Sequence, residues 1–269
     1  MIVGTNWFLG FSHCTAAKDA YINEHVRGRK EIADILEVFF RAGVDTVMGM
    51  IGMDPLKDAI CEAEDRTGVG AVIVSTPAFP VTADTPSKGF DMAEVDRILD
   101  LEVEKGAAFC LPHVSTTDAL LDRCSQTIRR MEDLVLRIRE RGMVPGLSTH
   151  MPETIPYADE SGLDVETYIS MYNSAGFLMH HEVDWVHRLI HNAKKPVMTI
   201  KPMAAGQLRP LQGLSFVWNT IRGQDMVTVG TMSPKEAEEV IELSRSILEQ
   251  RISSGELQRT RSKSSLKAV

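Results

Sequence analysis

Short apolar runs alternate with longer segments whose apolar residues recur every three or four positions, and the alternation persists to about residue 250. Residues 2–8 read as a first strand, and 10–23 as a loop carrying Ser12, His13 and Cys14. Residues 29–42 place Ile32, Ile35, Leu36, Phe39 and Phe40 at helical spacing, and Gly43 ends that helix. Further strands are predicted at 46–50, 71–75, 107–111, 143–147, 165–171, 196–201 and 226–229. The run Ala-Val-Ile-Val-Ser at 71–75 is continuous and apolar, as a strand covered on both faces requires. Helices are predicted at 55–66 (with Asp54 as N-cap), 91–105, 117–141, 152–161 and 182–193. Two more follow the small-residue turn at 203–207 and the Ser233-Pro234 start. Eight strand–helix units with short connections and right-handed crossovers predict an α/β chain closed into a (β/α)8 TIM barrel.

Composition adjusts this picture in a few places. A length of 269 residues suits one barrel domain, assigned to 1–250, with a tail at 251–269. The tail is Ser-rich and basic, with Arg251, Arg259, Arg261, Lys263 and Lys267 against Glu256. It is expected to be a solvated end, the sharper reading being an arm over the mouth or over a neighbouring subunit. The net charge of -8 excludes a general nucleic-acid binder, which needs a basic face. Cys14, Cys61, Cys110 and Cys124 form no CxxC pair, so free thiols in a reducing compartment are expected. The first residues lack a secretory leader pattern, and no apolar run has the length of a membrane span. A cytoplasmic protein without membrane partners is the expectation, and assembly of several copies stays open.

Candidate chemistry follows from the barrel, whose strands end their carboxyl sides at one mouth. Those ends present Asn6, Trp7, Asp54, Thr76, His113, His150, Asn173, Lys201 and Thr231. His113, His150 and Lys201 are the catalytic candidates, with His13 able to join them: imidazoles and an amine polarise a carbonyl, hold a carboxylate or shuttle a proton. His150, just before Pro152, reads equally well as a cap of the next helix. Lys201 ends an apolar strand, where a charge is costly unless paired. It reads as an anion-binding group, as a lysine snorkelling to the mouth, or as a Schiff-base amine. The turn at 203–207 and the helix start at 230–234 add small residues and backbone N–H groups suited to an anion, so the expected substrate is a small anionic molecule. His187 and His191 stand four apart beside His180 and His181, but without an HExxH pattern they read as packing or solvated histidines, and no metal is expected.

Four stretches in order resemble the second half of the aldo-keto reductases: Gly146-Leu147-Ser148-Thr149-His150, Tyr168 to Asn173, Lys201-Pro202-Met203-Ala204-Ala205-Gly206-Gln207-Leu208, and Val227 to Glu242. The resemblance implies a (β/α)8 barrel that grips a nicotinamide dinucleotide in extended form. It places Ser148 by the nicotinamide, Lys201, Ala204, Ala205, Gly206 and Gln207 along the pyrophosphate, and Gly230, Thr231, Met232 and Ser233 by the adenosine phosphate, with Asn173 also among the cofactor-binding residues. Glu236 stands where NADP-specific members often carry an arginine, which implies NAD over NADP. The first half departs from the family. Met48-Gly49-Met50 ends the second strand without the proton-donating tyrosine, and Ser75-Thr76-Pro77 ends the third without the lysine; only His113 has its counterpart. A positioned proton donor is worth about 10²–10⁴ in rate, so the departure is substantial. Two enzyme readings result: an NAD-dependent oxidoreductase acting on a small carbonyl compound, and a non-redox lyase, isomerase or hydrolase using His113, His150 and Lys201 on a phosphorylated or carboxylated molecule. A barrel that binds without catalysing is the third.

Overall fold

The computed structural model describes residues 1–26, 28–255, 257–258, 260 and 263. Eight parallel strands close on one another: β1 (Ile2–Gly4), β2 (Thr46–Gly49), β3 (Val72–Ser75), β4 (Ala107–Cys110), β7 (Val144–Ser148), β8 (Thr167–Met171), β9 (Val197–Ile200) and β10 (Met226–Val229). Closure is made by β1, which pairs with β2 through Val3↔Val47 and with β10 through Ile2↔Thr228. The outer ring consists of α2 (Arg29–Arg41), α3 (Leu56–Thr67), α5 (Met92–Glu104), α7 (Met131–Glu140), α8 (Thr154–Ser161), α9 (Val183–Asn192), α10 (Pro210–Thr220) and α11 (Pro234–Leu248). The predicted fold class is the one observed.

The strands are only three to five residues long, so each contributes one or two side chains to the barrel interior. Ile2, Met48, Val74, Leu111, Ile169 and Met198 fill it, with Phe109, Ile200 and Met226 packed on them. The larger apolar layer lies between strands and helices, where α2 alone buries Ile32, Ile35, Leu36, Phe39 and Phe40, as its helical spacing predicts. Gly146 makes room inside: a Cβ there would stand 2.8 Å from the Leu111 side chain and 2.7 Å from the Thr167 carbonyl oxygen.

Three local expectations are corrected. Residues 10–23 were expected to be loop, but α1 (Ala16–His25) occupies much of them, capped by Thr15, whose side chain accepts from the Lys18 N–H. Its only buried residue is Ile22, so the sequence carries no amphipathic stripe to announce it. A helix over 117–141 was expected. The chain instead forms α6 (Val114–Thr117), a 3₁₀ turn at Asp118–Leu120, a hairpin of β5 (Leu121–Asp122) with β6 (Thr127–Ile128), and then α7. Asp122 decides this: its carboxylate accepts from the Cys124 N–H, the Ser125 hydroxyl and the Arg129 guanidinium, which fixes a turn in place of helix. Asp54 does not cap α3, where Pro55 holds the cap position without a side-chain bond. The short α4 (Thr85–Lys88) lies in the Pro-rich loop after β3.

Arg251 is held to the end of α11 by Glu242 at 2.7 Å and Glu249 at 2.5 Å. The tail's Arg259, Arg261, Lys267 and Glu256 lie outside the described residues. Among those described, no helix is long and apolar enough to cross a membrane. Replacing Gly146 by alanine forces a methyl into the Leu111 contact, and chemical denaturation should report a loss of about 1–3 kcal/mol.

Candidate active site at the barrel mouth

A cavity of about 220 Å³ opens at the carboxyl ends of the strands. It is smaller than the 300–1,000 Å³ of a typical drug-sized site, and suits a compact molecule. Its floor is Met48, Ile169 and Ile200 from the top of the barrel core. Gly4, Gly49 and Gly230 clear the space beside β1. A Cβ on Gly49, whose φ is +153°, would run into the Thr5 hydroxyl, and one on Gly230 would stand 3.2 Å from the Trp7 ring. The walls carry His13, His113, His150, Ser148, Thr76 and Lys201.

Lys201 follows β9 directly and takes a left-handed conformation, φ +60°. Ala204 and Ala205 do the same at +49° and +53°, so three non-glycine residues within five hold a backbone that side chains disfavour. The loop is pinned from behind by α10, where a Cβ on Gly213 would meet the Pro202 carbonyl oxygen at 2.6 Å. It is met in front by Cys14, whose thiol lies 3.3 Å from the Ala205 carbonyl oxygen. Lys201 is partly buried, and among the described residues its amine has neither a carboxylate nor a hydrogen-bond partner. Burial lowers its pKa to about 8.

Three imidazoles surround this amine. His113 caps α6: its Nδ1 accepts from the Ser115 N–H at 3.3 Å and lies 2.9 Å from the Ser115 hydroxyl. An accepting Nδ1 leaves the neutral ring with its proton on Nε2, which has no partner among the described residues. His150 sits in the turn after β7. Its backbone N–H donates to Asp118 at 3.2 Å, and Asp118 also accepts from Thr149 at 2.6 Å. Asp118 is therefore the residue that places His150, and sequence pattern gave no sign of it. Burial first, then the charge of Lys201, lowers the pKa of both His113 and His13, and takes that of His150 down to about 3. All three rings are neutral at pH 7. Among the described residues no carboxylate lines the cavity.

The cavity therefore gathers His113, His150, Lys201, Ser148, Ala205, Gly206 and Gly230. It does not include Asn173, Ala204, Gln207, Thr231, Met232 or Ser233. Asn173 is buried and braces its own loop, accepting from the Phe177 N–H at 2.9 Å and donating to the Phe177 carbonyl at 3.1 Å. At the start of α11 two of the backbone N–H groups, those of Met232 and Glu236, are already engaged by side chains of the chain itself. Ser233 accepts from the Glu236 N–H at 3.2 Å, and the Glu236 carboxylate accepts from the Met232 N–H at 2.7 Å. A carboxylate of the chain thus lies where the resemblance puts the adenosine phosphate, and the residues present do not fit that end of a dinucleotide.

The tyrosines lie elsewhere too. Tyr168 donates to Asp159 at 2.7 Å, Tyr172 bonds His187 and Thr220 at 3.0 Å each, and neither Tyr21 nor Tyr157 lines the cavity. His187 packs on His191 with ring centroids 5.2 Å apart, and among the described residues no three His, Cys, Asp or Glu side chains are gathered as for a metal.

Two stability measurements check this electrostatic picture. The unfolded chain protonates its histidines near pH 6.5 while the folded chain resists, so stability falls as pH drops from 6.5 toward 4. Thermal melts should show His150→Gln losing less stability than wild type over that interval. Lys201 instead carries a charge without a partner below pH 8. Lys201→Met should raise stability at pH 7 by about 1–3 kcal/mol, with the gain shrinking as pH rises through 8 toward 10.5.

No family model matches the sequence, and neither does any curated protein. Solved structures match it in shape. A putative aldo-keto reductase from Pseudomonas aeruginosa is 15% identical with a TM-score of 0.62, over 83% of this chain and 85% of that one. Thiamine phosphate pyrophosphorylase from Pyrococcus furiosus is 12% identical with a TM-score of 0.51, over 85% and 92%. Orotidine 5'-monophosphate decarboxylase from Methanocaldococcus jannaschii is 17% identical with a TM-score of 0.50, over 80% and 92%. Identities this low carry the fold and leave the reaction open. In fold, the chain is an aldo-keto-reductase-like (β/α)8 barrel.

Proposed function

We propose that this barrel is a non-redox enzyme, a lyase or isomerase, acting on a small carbonyl compound that carries a carboxylate or phosphate. The observation that supports it best is the set of titratable groups on the cavity: one unpaired amine and three neutral imidazoles, with no carboxylate among the described lining residues. The ammonium form of Lys201 attracts an anion into a small low-dielectric space, where the attraction is stronger than in water. His113 offers an Nε2–H donor to a carbonyl oxygen, and the neutral imidazole of His13 on the same cavity is the base for a proton on the adjacent carbon. His150, with its pKa at about 3, is too weak a base and serves as a polar contact. Removing a proton next to a carbonyl is the step that lyases and isomerases of this substrate class share.

The oxidoreductase reading with NAD rests on the sequence resemblance and the barrel likeness, and Ser148, Ala205, Gly206 and Gly230 do border the cavity. Against it stand the absent tyrosine and the engagement of the α11 start by Glu236. Calorimetry separates the two. Titration with pyruvate, dihydroxyacetone phosphate, NADH and NADPH should give heat from at least one of the small carbonyl compounds, lost or weakened at least tenfold in Lys201→Met. Tight NADH binding without small-anion binding would put the reductase reading in front.

A further inference from the structure

We infer that Lys201 is a nucleophile, and that the barrel forms an imine between its Nζ and the carbonyl carbon of its substrate. This rests on the small-carbonyl reading above and adds a covalent step to it. The argument starts from what the amine lacks. A lysine kept only for its charge is usually paired or left in water, and Lys201 is neither. A lysine that snorkels places its amine in solvent, whereas this one lines a cavity together with His13, His113 and His150. Its backbone is held in the left-handed region and wedged by α10, so the side chain leaves the wall from a fixed point. Such rigidity costs free energy and has no evident role in a freely moving surface charge. With the pKa at about 8, the free amine at pH 7 is roughly three-hundredfold more populated than in an ordinary lysine.

The imidazoles supply the proton traffic that imine formation needs. The Nζ lone pair adds to the carbonyl carbon, the carbon–oxygen π bond breaks, and a C–N bond forms. A neutral imidazole takes a proton from nitrogen and returns one to oxygen, giving a carbinolamine. The hydroxyl then leaves as water, and with one further proton from solvent the product is an iminium, R–NH⁺=C. The sum is amine plus carbonyl plus one proton, giving iminium plus water, with no change of oxidation state. The iminium draws electrons from the adjacent carbon, which is where His13 would remove a proton in the reading above.

The experiment is borohydride trapping on the full chain. Protein is incubated separately with pyruvate, acetoacetate and dihydroxyacetone phosphate, treated with sodium borohydride and examined by intact mass and peptide mapping. The expected result is an adduct from at least one compound, heavier than the protein by that compound less one oxygen atom, mapped to the peptide containing Lys201. It should form at least tenfold faster than on any other lysine. Lys201→Arg keeps the positive charge without an addable amine, and should abolish the adduct while retaining binding heat. A compound that binds by calorimetry yet leaves no adduct on wild type would overturn the inference and leave the small-carbonyl reading standing. Adduct spread evenly over surface lysines, or persisting in Lys201→Arg, would also overturn it. Absence of both heat and adduct with all three compounds would remove the small-carbonyl reading, and the imine with it.

Discussion

The site depends on a charge taken out of water without a counter-charge. Burying an ammonium is unfavourable, and the usual remedy is a carboxylate nearby. At the mouth of this barrel the remedy is missing among the described residues: the titratable groups that share the cavity with Lys201 are imidazoles, and the amine answers by giving up its proton more easily. The imidazoles respond to the same burial and to Lys201 itself, and stay neutral. Burial first, and the one desolvated charge second, thereby set the protonation of the groups around the mouth. The barrel makes this affordable, because its large apolar layer between strands and helices carries the stability that the mouth gives away.

The architecture explains why residues so far apart in sequence meet. Eight parallel strands with right-handed crossovers bring every carboxyl end to one face, so the loop after each strand faces the same space. The very short strands concentrate the effect. Their interior side chains form a single plug around Leu111 and Ile169, and two residues further on Gly4, Thr76, His113 and Ile200 already border the cavity. Met48, Ser148 and Ile200 sit at that boundary.

This logic made the fold legible. Apolar runs, breakers and strand order gave the barrel, and the strand ends named His113, His150 and Lys201 as groups that share one mouth. What stayed hidden has physical causes. Helix α1 carries a single buried residue, so periodicity could not mark it. The hairpin after α6 is fixed by one aspartate folding three donors around itself, a local interaction that hydrophobic pattern does not encode. Asp118 holds the His150 turn through hydroxyl and amide contacts formed only when the loops after β4 and β7 lie side by side. Asn173 matched a motif position, yet its amide is consumed by the Phe177 backbone, a role that residue type alone does not reveal.

The carboxylate of Glu236 on the Met232 N–H has a consequence for how this barrel could acquire new ligands. A tethered anion competes with free ones at the effective concentration set by its own side chain, which for such a short link is millimolar or higher. Any free phosphate reaching the start of α11 must displace a rival that never diffuses away, and must tolerate its charge afterwards. A single change at position 236 to a neutral residue would free the Met232 N–H at once, whereas rebuilding the absent tyrosine and lysine would take coordinated changes on two other strands. Coenzyme binding and reductase chemistry are therefore separated by very different mutational distances in this chain.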